Sequence, residues 1–276
     1  MCNHTKQLTT KQELSGREFD DKRQRDERTW VRSIKSLFAK QKRSLLNAVK
    51  ESSTPISIVD EIPKYINTSD TRKLYKELYT KQGQKYYNGT IRALKKNSHY
   101  QFDLKAIVSE DDLYWLQMSE FVDNQVASRI ISVTDTSQEV ARKAINEAVT
   151  TGVNEGQSIP QIKAAINASV NQEWRIMTAF RPELIARTES LTMANYASFI
   201  GAESLGEDLD KVWLAFIDGR TRQAHITADR QVAPMQGAFI VGGEQMRYPG
   251  DTWGSAKNVI QCRCTLIYQT KDERNY

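Results

Sequence analysis

Cys262 and Cys264 flank Arg263 in NVIQCRCTLIYQ, a run whose Val, Ile, Leu and Tyr favour a strand. Residues two apart on a strand share a face, so the two sulfurs aim together. An i,i+2 pair rarely meets disulfide geometry, whereas two thiolates on one side make half of a tetrahedral zinc site. His225 and Asp229 stand four apart, on one side of a helical turn, and would supply the other half. The candidate metal set is therefore His225, Asp229, Cys262 and Cys264. It matches no C-x2-C signature, and two small thiols in a core strand, with His225 bonded to a carbonyl, account for the same residues.

A second group brackets a helix and a strand end: Arg187 and Glu189 on the helix, Asp218, Arg220 and Arg222 beyond the strand. With Asp229 they would form either a structural ion network tying helix to sheet or an anion site holding a general acid or base. Structural networks are the commoner outcome for such sets. His225 is the only histidine of residues 181–268, with no Ser/His/Asp triad, P-loop or G-x-G-x-x-G beside it, so no catalytic residue is assigned.

A third group is basic. Residues 72–96 hold eight cations, Arg72, Lys73, Lys76, Lys81, Lys85, Arg92, Lys95 and Lys96, against the single acid Glu77. Tyr75, Tyr79, Tyr86 and Tyr87 are interleaved. Lys and Arg neutralise phosphates without regard to base sequence, and tyrosines can stack on exposed bases. The helical spacing of Tyr75 and Tyr79 favours packing for most of the tyrosines, leaving the cations for non-specific contact with double-stranded DNA.

Charge is unevenly shared along the 276 residues. Residues 1–108 carry 23 Lys+Arg against 12 Asp+Glu, and the remainder 16 against 22, within an overall balance of +5. The basic front invites a polyanion; a solvated Lys-rich face is the bland alternative. No run approaches the roughly 18 apolar residues of a membrane span. The first thirty residues lack the apolar core of a signal peptide. Cys2 is an odd cysteine, so no disulfide framework is expected, and the chain reads as one made in a reducing cytosol.

The elements that must position these groups are mostly helical. Trp30, Ile34, Leu37, Phe38, Leu45 and Val49 make one stripe of a helix over 17–50, with a frayed or exposed charged entry at 17–28 and a stop at Ser52–Pro55. Pro63 interrupts the next segment. A second helix is predicted over 69–96 behind a Thr68/Ser69 cap, then an irregular stretch over 97–108. A third starts near Ser109, its dipole matched by Glu110, Asp111 and Asp112, with the stripe Trp115, Met118, Val122, Val126 and Ile130. A break is expected at Thr134–Ser137, then a face of Val140, Ala144, Ile145, Ala148 and Val149 ending at Gly152 or Gly156. Ser158-Ile159-Pro160 caps a short helix, and Arg181-Pro182 opens another that stops at Gly201 or Gly206. Beyond residue 210 come a strand, a helical turn, two extended runs joined by Gly242-Gly243 as a hairpin, a loop and a last strand. The predicted fold is α+β, with a mostly α-helical first two thirds and a small C-terminal α+β module. Three regions are set out: a basic helical 1–108, a helical 109–180 and the module 181–276.

The ordered set IARTESLTMANYASF (185–199), VWLAFIDGRTRQAH (212–225), DRQV (229–232), YPGD (248–251) and NVIQCRC (258–264), with VNEGQSIPQI (153–162) ahead of it, resembles the phage Mu F-like minor head proteins. The likeness covers about residues 140–268. Two details differ: the family often has Gly where this chain has Arg230, and its Asn usually abuts C-R-C, whereas Asn258 here lies three residues away. The resemblance implies a low-copy virion protein associated with the portal and with capsid or scaffolding protein, in the host cytoplasm during assembly and inside the head afterwards, acting in head morphogenesis and in DNA packaging or ejection. It implies no catalytic residues; similar domains occur fused to toxin modules. The basic front is expected to meet DNA or the acidic capsid interior while the module packs on portal or capsid protein. No cofactor is expected apart from zinc on the four-residue set. The competing class is a metal- or nucleotide-dependent, toxin-like enzyme modifying nucleic acid or protein through the C-terminal module.

Overall fold

The computed structural model describes residues 10–97, 110–206 and 208–270; Cys2 and the stretch 98–108 lie outside them, as do the side chains of Glu110 and Asp111. In chain order the elements are α1 (Thr10–Glu51), a 3-10 turn (Pro55–Ser57), α2 (Ile58–Tyr65), α3 (Thr68–Asn97), α4 (Glu110–Asn124), α5 (Ala127–Asn154), α6 (Ile159–Glu203), β1 (Asp210–Leu214), α7 (Gln223–Ala228), β2 (Val232–Pro234), β3 (Phe239–Val241), β4 (Glu244–Met246), α8 (Ala256–Val259) and β5 (Thr265–Gln269). The helical front and small strand-bearing module make the α+β arrangement that the sequence predicts. No helix among the described residues is long and apolar enough to cross a membrane.

Two compact units form, each from separated segments. One takes in Met1–Thr29, Glu77–Phe121 and Leu184–Tyr276; the other Trp30–Lys76 and Val122–Glu183. These boundaries differ from cuts at 108 and 180, because long helices share their length between units: α1 gives its first part to one and its remainder to the other.

The Trp30–Lys76/Val122–Glu183 unit is wholly helical. Its core joins Leu45, Ala48 and Val49 of α1, Ile58 and Ile62 of α2, Ala141, Ala144, Ile145 and Ala148 of α5, and Ile162, Ile166, Val170 and Trp174 of α6. Full burial of each large aliphatic side chain stabilises by about 1.5–3 kcal/mol. Asn67, not Thr68 or Ser69, caps α3, its Oδ1 accepting the Asp70 N–H at 2.7 Å. No break occurs at Thr134–Ser137. The hydroxyls of Thr134, Thr136 and Ser137 donate to the carbonyls of Ile130, Ser132 and Val133 one turn back, so these polar residues stay inside α5. The interruption falls instead at Gln125–Val126, just before α5. Gly156, at φ 66, follows the end of α5 in the left-handed conformation that closes many helices.

In the other unit, the first turns of α1 meet the expectation of an exposed entry on one face, where Arg17, Glu18, Asp21, Arg25 and Arg28 are exposed, and depart from it on the other. Asp20, Arg23 and Asp26 are buried at the three-residue spacing that extends the Trp30 stripe. The charges stay buried because they are paired: Arg23 with Asp20 at 2.6 Å and Glu27 at 2.9 Å, Asp26 with Lys85 and Tyr86. Within α4 the buried positions are Tyr114, Met118, Phe121 and Val122; Trp115 lies 39 % exposed, one residue out of phase with the expected stripe. Tyr114 donates its hydroxyl to the Thr80 carbonyl at 2.8 Å. Arg181-Pro182 does not start a helix: α6 runs unbroken through it for 45 residues. An interior proline costs about 3 kcal/mol, and the buried stripes on either side, Trp174 before and Ile185 to Ile200 after, outweigh it.

The small module is a three-stranded antiparallel sheet in the order β2-β1-β5, with β3-β4 as a separate hairpin. Central β1 is buried from Lys211 to Leu214 and pairs Trp213 with Leu266 and Leu214 with Thr265. Gly242 and Gly243, at φ 58 and 83, turn the expected hairpin. The last strand is shorter than predicted: it begins at Thr265, and Cys262–Cys264 form its irregular lead-in after α8.

Candidate functional site

One face of α6 organises the site. Thr188, Thr192 and Asn195 lie at i, i+4 and i+7, and each spends its polar group on a loop of the module. Thr188 Oγ1 accepts the Gln261 N–H at 3.2 Å, Thr192 Oγ1 donates to the Gly250 carbonyl at 2.9 Å, and Asn195 Nδ2 donates to the Cys264 carbonyl at 3.2 Å. Asn195 Oδ1 also accepts the Thr265 hydroxyl at 3.1 Å. The cysteine segment is thus held at both ends by one helix. Gln261, pinned to Thr188, adopts φ 57, a left-handed conformation that turns the chain into Cys262.

His225, Cys262 and Cys264 come together. All three are buried, with ligand atoms within 4.8 Å of one another. His225 Nδ1 lies 3.3 Å from Cys264 Sγ and 3.5 Å from Cys262 Sγ. The Cys264 N–H points to Cys262 Sγ at 3.4 Å. Burial pushes the Cys262 thiol up, but hydrogen bonds from Cys264 and His225 outweigh it and hold that thiol well below its ordinary value. Burial and the neighbouring Cys262 push the Cys264 thiol well above it. The unequal pair shares one proton most readily, with the negative charge on Cys262. His225 Nε2 is buried without a hydrogen-bond partner among the described residues.

Asp229 is not part of this trio. Its Oδ1 accepts the Ala215 N–H at 2.8 Å, and its Oδ2 meets Arg230 at 3.4 Å. Arg230 continues to Glu13 at 2.8 Å, along the wall of a cleft of about 550 Å³. Arg230 sits at φ 63, the position where the Mu F-like pattern often has Gly, and its N–H donates to the Trp213 carbonyl at 2.7 Å.

The five charged residues expected to form one network lie in separate arrangements. Arg187 pairs with Glu27 at 3.3 Å, and buried Glu189 accepts the Tyr79 hydroxyl at 2.6 Å. Arg222 donates to the Ile260 carbonyl. Asp218 accepts the Arg220 N–H at 2.8 Å and a fork from Arg263, 2.5 Å on each side. These contacts hold the Asp218 carboxyl far below the ordinary carboxylate range, the Arg263 fork contributing most. In the sequence Arg263 is only the residue between the cysteines; its pairing with Asp218 is what links C-R-C to D-G-R-T-R.

Asp251 and Asn258 likewise stand in the sequence only as members of the YPGD and NVIQCRC runs. Buried Asp251 accepts the Arg247 and Trp253 N–H groups at 2.7 and 3.3 Å, closing the YPGD loop. Asn258 Nδ2 donates to the Val241 carbonyl at 3.1 Å and to Glu244 at 2.8 Å, tying α8 to the hairpin. Inward-facing Asn and Asp residues in a loop-rich segment were the available signal.

Among the eight basic residues of α3, Arg72 and Lys76 share Asp123 at 2.9 and 2.5 Å, Lys81 meets Glu77 at 2.7 Å, and Lys85 meets Asp26. Arg92 donates to the Asn88 carbonyl at 3.2 Å. Lys73, Arg92 and Lys96 are exposed, while Lys95 is half-buried. Tyr75, Tyr79, Tyr86 and Tyr87 are all buried.

Comparison with known proteins adds the family. The model of "Phage Mu protein F like protein" matches residues 143–267. A curated relative, an NAD(+)--arginine ADP-ribosyltransferase EFV of Enterococcus faecalis, is 25 % identical over 213 residues, 76 % of this chain and 42 % of that protein. The chain thus spans less than half the length of the relative it matches. No solved structure matches it significantly. Residues 143–267, which hold the motifs from the ARTE helix to the paired cysteines, are thus similar to phage Mu F-like proteins.

Proposed function

We propose that the chain is a low-copy minor head protein of a phage particle, associated with portal and with capsid or scaffolding protein, acting in head morphogenesis and in DNA packaging or ejection. The observation that carries this reading is how the shared motif residues spend their polar groups. Thr188, Thr192, Asn195, Asp218, Asp251 and Asn258 all bond to backbone or to one another and build the module. Such residues specify a docking body, whereas a catalytic constellation keeps donors and acceptors open toward a substrate.

The basic front supports non-specific contact with double-stranded DNA. Within α3, Lys73, Arg92 and Lys96 are exposed and pair with no carboxylate among the described residues, and the partly exposed ion pairs of Lys76 and Lys81 are each worth about 1 kcal/mol or less, weak enough to yield to phosphates.

The test is co-expression with the portal, scaffolding and major capsid proteins. The chain is expected to sediment with assembled procapsids; recovery only in the soluble fraction contradicts the reading. The transferase name of the relative favours a second reading, an enzyme acting on arginine with NAD(+). Incubating the full chain with NAD(+) and an arginine-rich acceptor separates the two: transfer of ADP-ribose supports the enzyme, and none supports the head protein.

A further inference from the structure

Three ligand atoms converge in the C-terminal module without an assigned purpose. A tetrahedral zinc with bonds of about 2.3 Å to sulfur and 2.0–2.1 Å to nitrogen spaces its ligand atoms roughly 3.5–3.8 Å apart. His225 Nδ1 stands 3.3 and 3.5 Å from the two sulfurs, and all three atoms lie within 4.8 Å of one another. The two nitrogen–sulfur distances therefore already lie close to those of a tetrahedral site. Each of the three residues is buried, and the imidazole Nδ1 faces both sulfurs. The framework that fixes them is over-determined. Asn195 holds the Cys264 carbonyl, Thr188 the turn before Cys262, and Arg263 anchors the intervening residue to Asp218.

We propose that His225 Nδ1, Cys262 Sγ and Cys264 Sγ bind one zinc ion as three of its four ligands. The ion joins α7 to the lead-in of β5, segments 37 residues apart in the chain, and so acts as a structural clasp of the module. Soft thiolates with one imidazole select zinc over magnesium or calcium. Binding releases thiol protons to solvent as the metal–sulfur bonds form; no oxidation is involved. Asp229 stays outside the set, committed to the Ala215 N–H.

The test uses the full chain, prepared reduced and loaded with zinc or with cobalt(II). About one zinc per chain is expected after gel filtration, and cobalt should give the thiolate charge-transfer band and the intense visible bands of a tetrahedral site. Less than about 0.2 equivalents of zinc, with no thiolate–cobalt band, overturns the proposal. His225→Ala and Cys264→Ser should each lose the metal, while Asp229→Asn should keep one equivalent; loss in Asp229→Asn overturns the three-residue set. Should the cysteine variant fail to fold, the cobalt spectrum of the unaltered chain decides alone.

Discussion

Arg263 grips Asp218 with both arms of its guanidinium, 2.5 Å on each side, from the position between Cys262 and Cys264. The two cysteines turn inward to His225 while the residue between them fastens the DGRTR loop. One short segment thus serves both the interior and the surface of the module.

A double-mutant cycle over Arg263→Met and Asp218→Asn should show coupling. Each single change should lower the thermal midpoint, and the double variant should lose less than their sum. Arg263→Lys should rescue only part, since an ammonium cannot supply the planar fork. Additive losses would mean that the pair contributes nothing as a pair. Because the Asp218 carboxyl is held below its ordinary range, any contribution should be full at neutral pH and fade only as pH falls through strongly acid values.

At Gly201, α6 passes close against the backbone of α3 at Tyr87. A Cβ there would stand 2.8 Å from the Tyr87 carbonyl oxygen, a backbone atom that cannot swing aside. Gly201→Ala should cost about 1–3 kcal/mol by urea unfolding, despite alanine's better helix propensity. A stabilised variant would contradict this packing.

Lys211 is fully buried beside the rings of Phe199 and Phe239, with one hydrogen bond to the Met235 carbonyl at 2.9 Å. Burial pushes its pKa down to about 8 from 10.5. The folded chain therefore binds fewer protons than the unfolded one between these values, so stability should rise with pH across that window. Relative to Lys211→Met, the native chain should gain on the order of 3 kcal/mol from pH 8 to 10.5. A flat difference would contradict a desolvated amine.

Lys73, Arg92 and Lys96 should carry phosphate contacts. If each meets one phosphate, changing all three to Ala should flatten the plot of log affinity against log salt by about 0.9 per lost contact. Binding to duplexes of unrelated sequence should weaken equally. An unchanged slope would place the DNA contact elsewhere.

Much of the helical architecture was legible because apolar residues such as Trp30, Ile34 and Leu45 recur at helical spacing. The buried charges Asp20, Arg23 and Asp26 keep the same spacing, yet composition alone reads them as solvent-exposed; the local pairs of Arg23 with Asp20 and Glu27, and the distant partners of Asp26, Lys85 and Tyr86, explain their burial. Pro182 and the Thr134–Ser137 cluster are sound local stop signals, overridden by packing and by hydroxyls bonding back to the helix. For the site, spacing brought Cys262, Cys264 and His225 into one group. Asp229 shares the helical side of His225 but ends α7, where the Ala215 N–H takes its carboxylate. Arg263, Thr188 and Asn195 were hidden because their partners lie 45 to 73 residues away.

The proposed place inside a phage head is tested most directly by peptide mass spectrometry of purified procapsids and mature particles. The chain should be found in both, at a few copies against the many of the major capsid protein and in fixed ratio to portal. Its absence from both kinds of particle, with the chain abundant in the infected cell, would contradict the account.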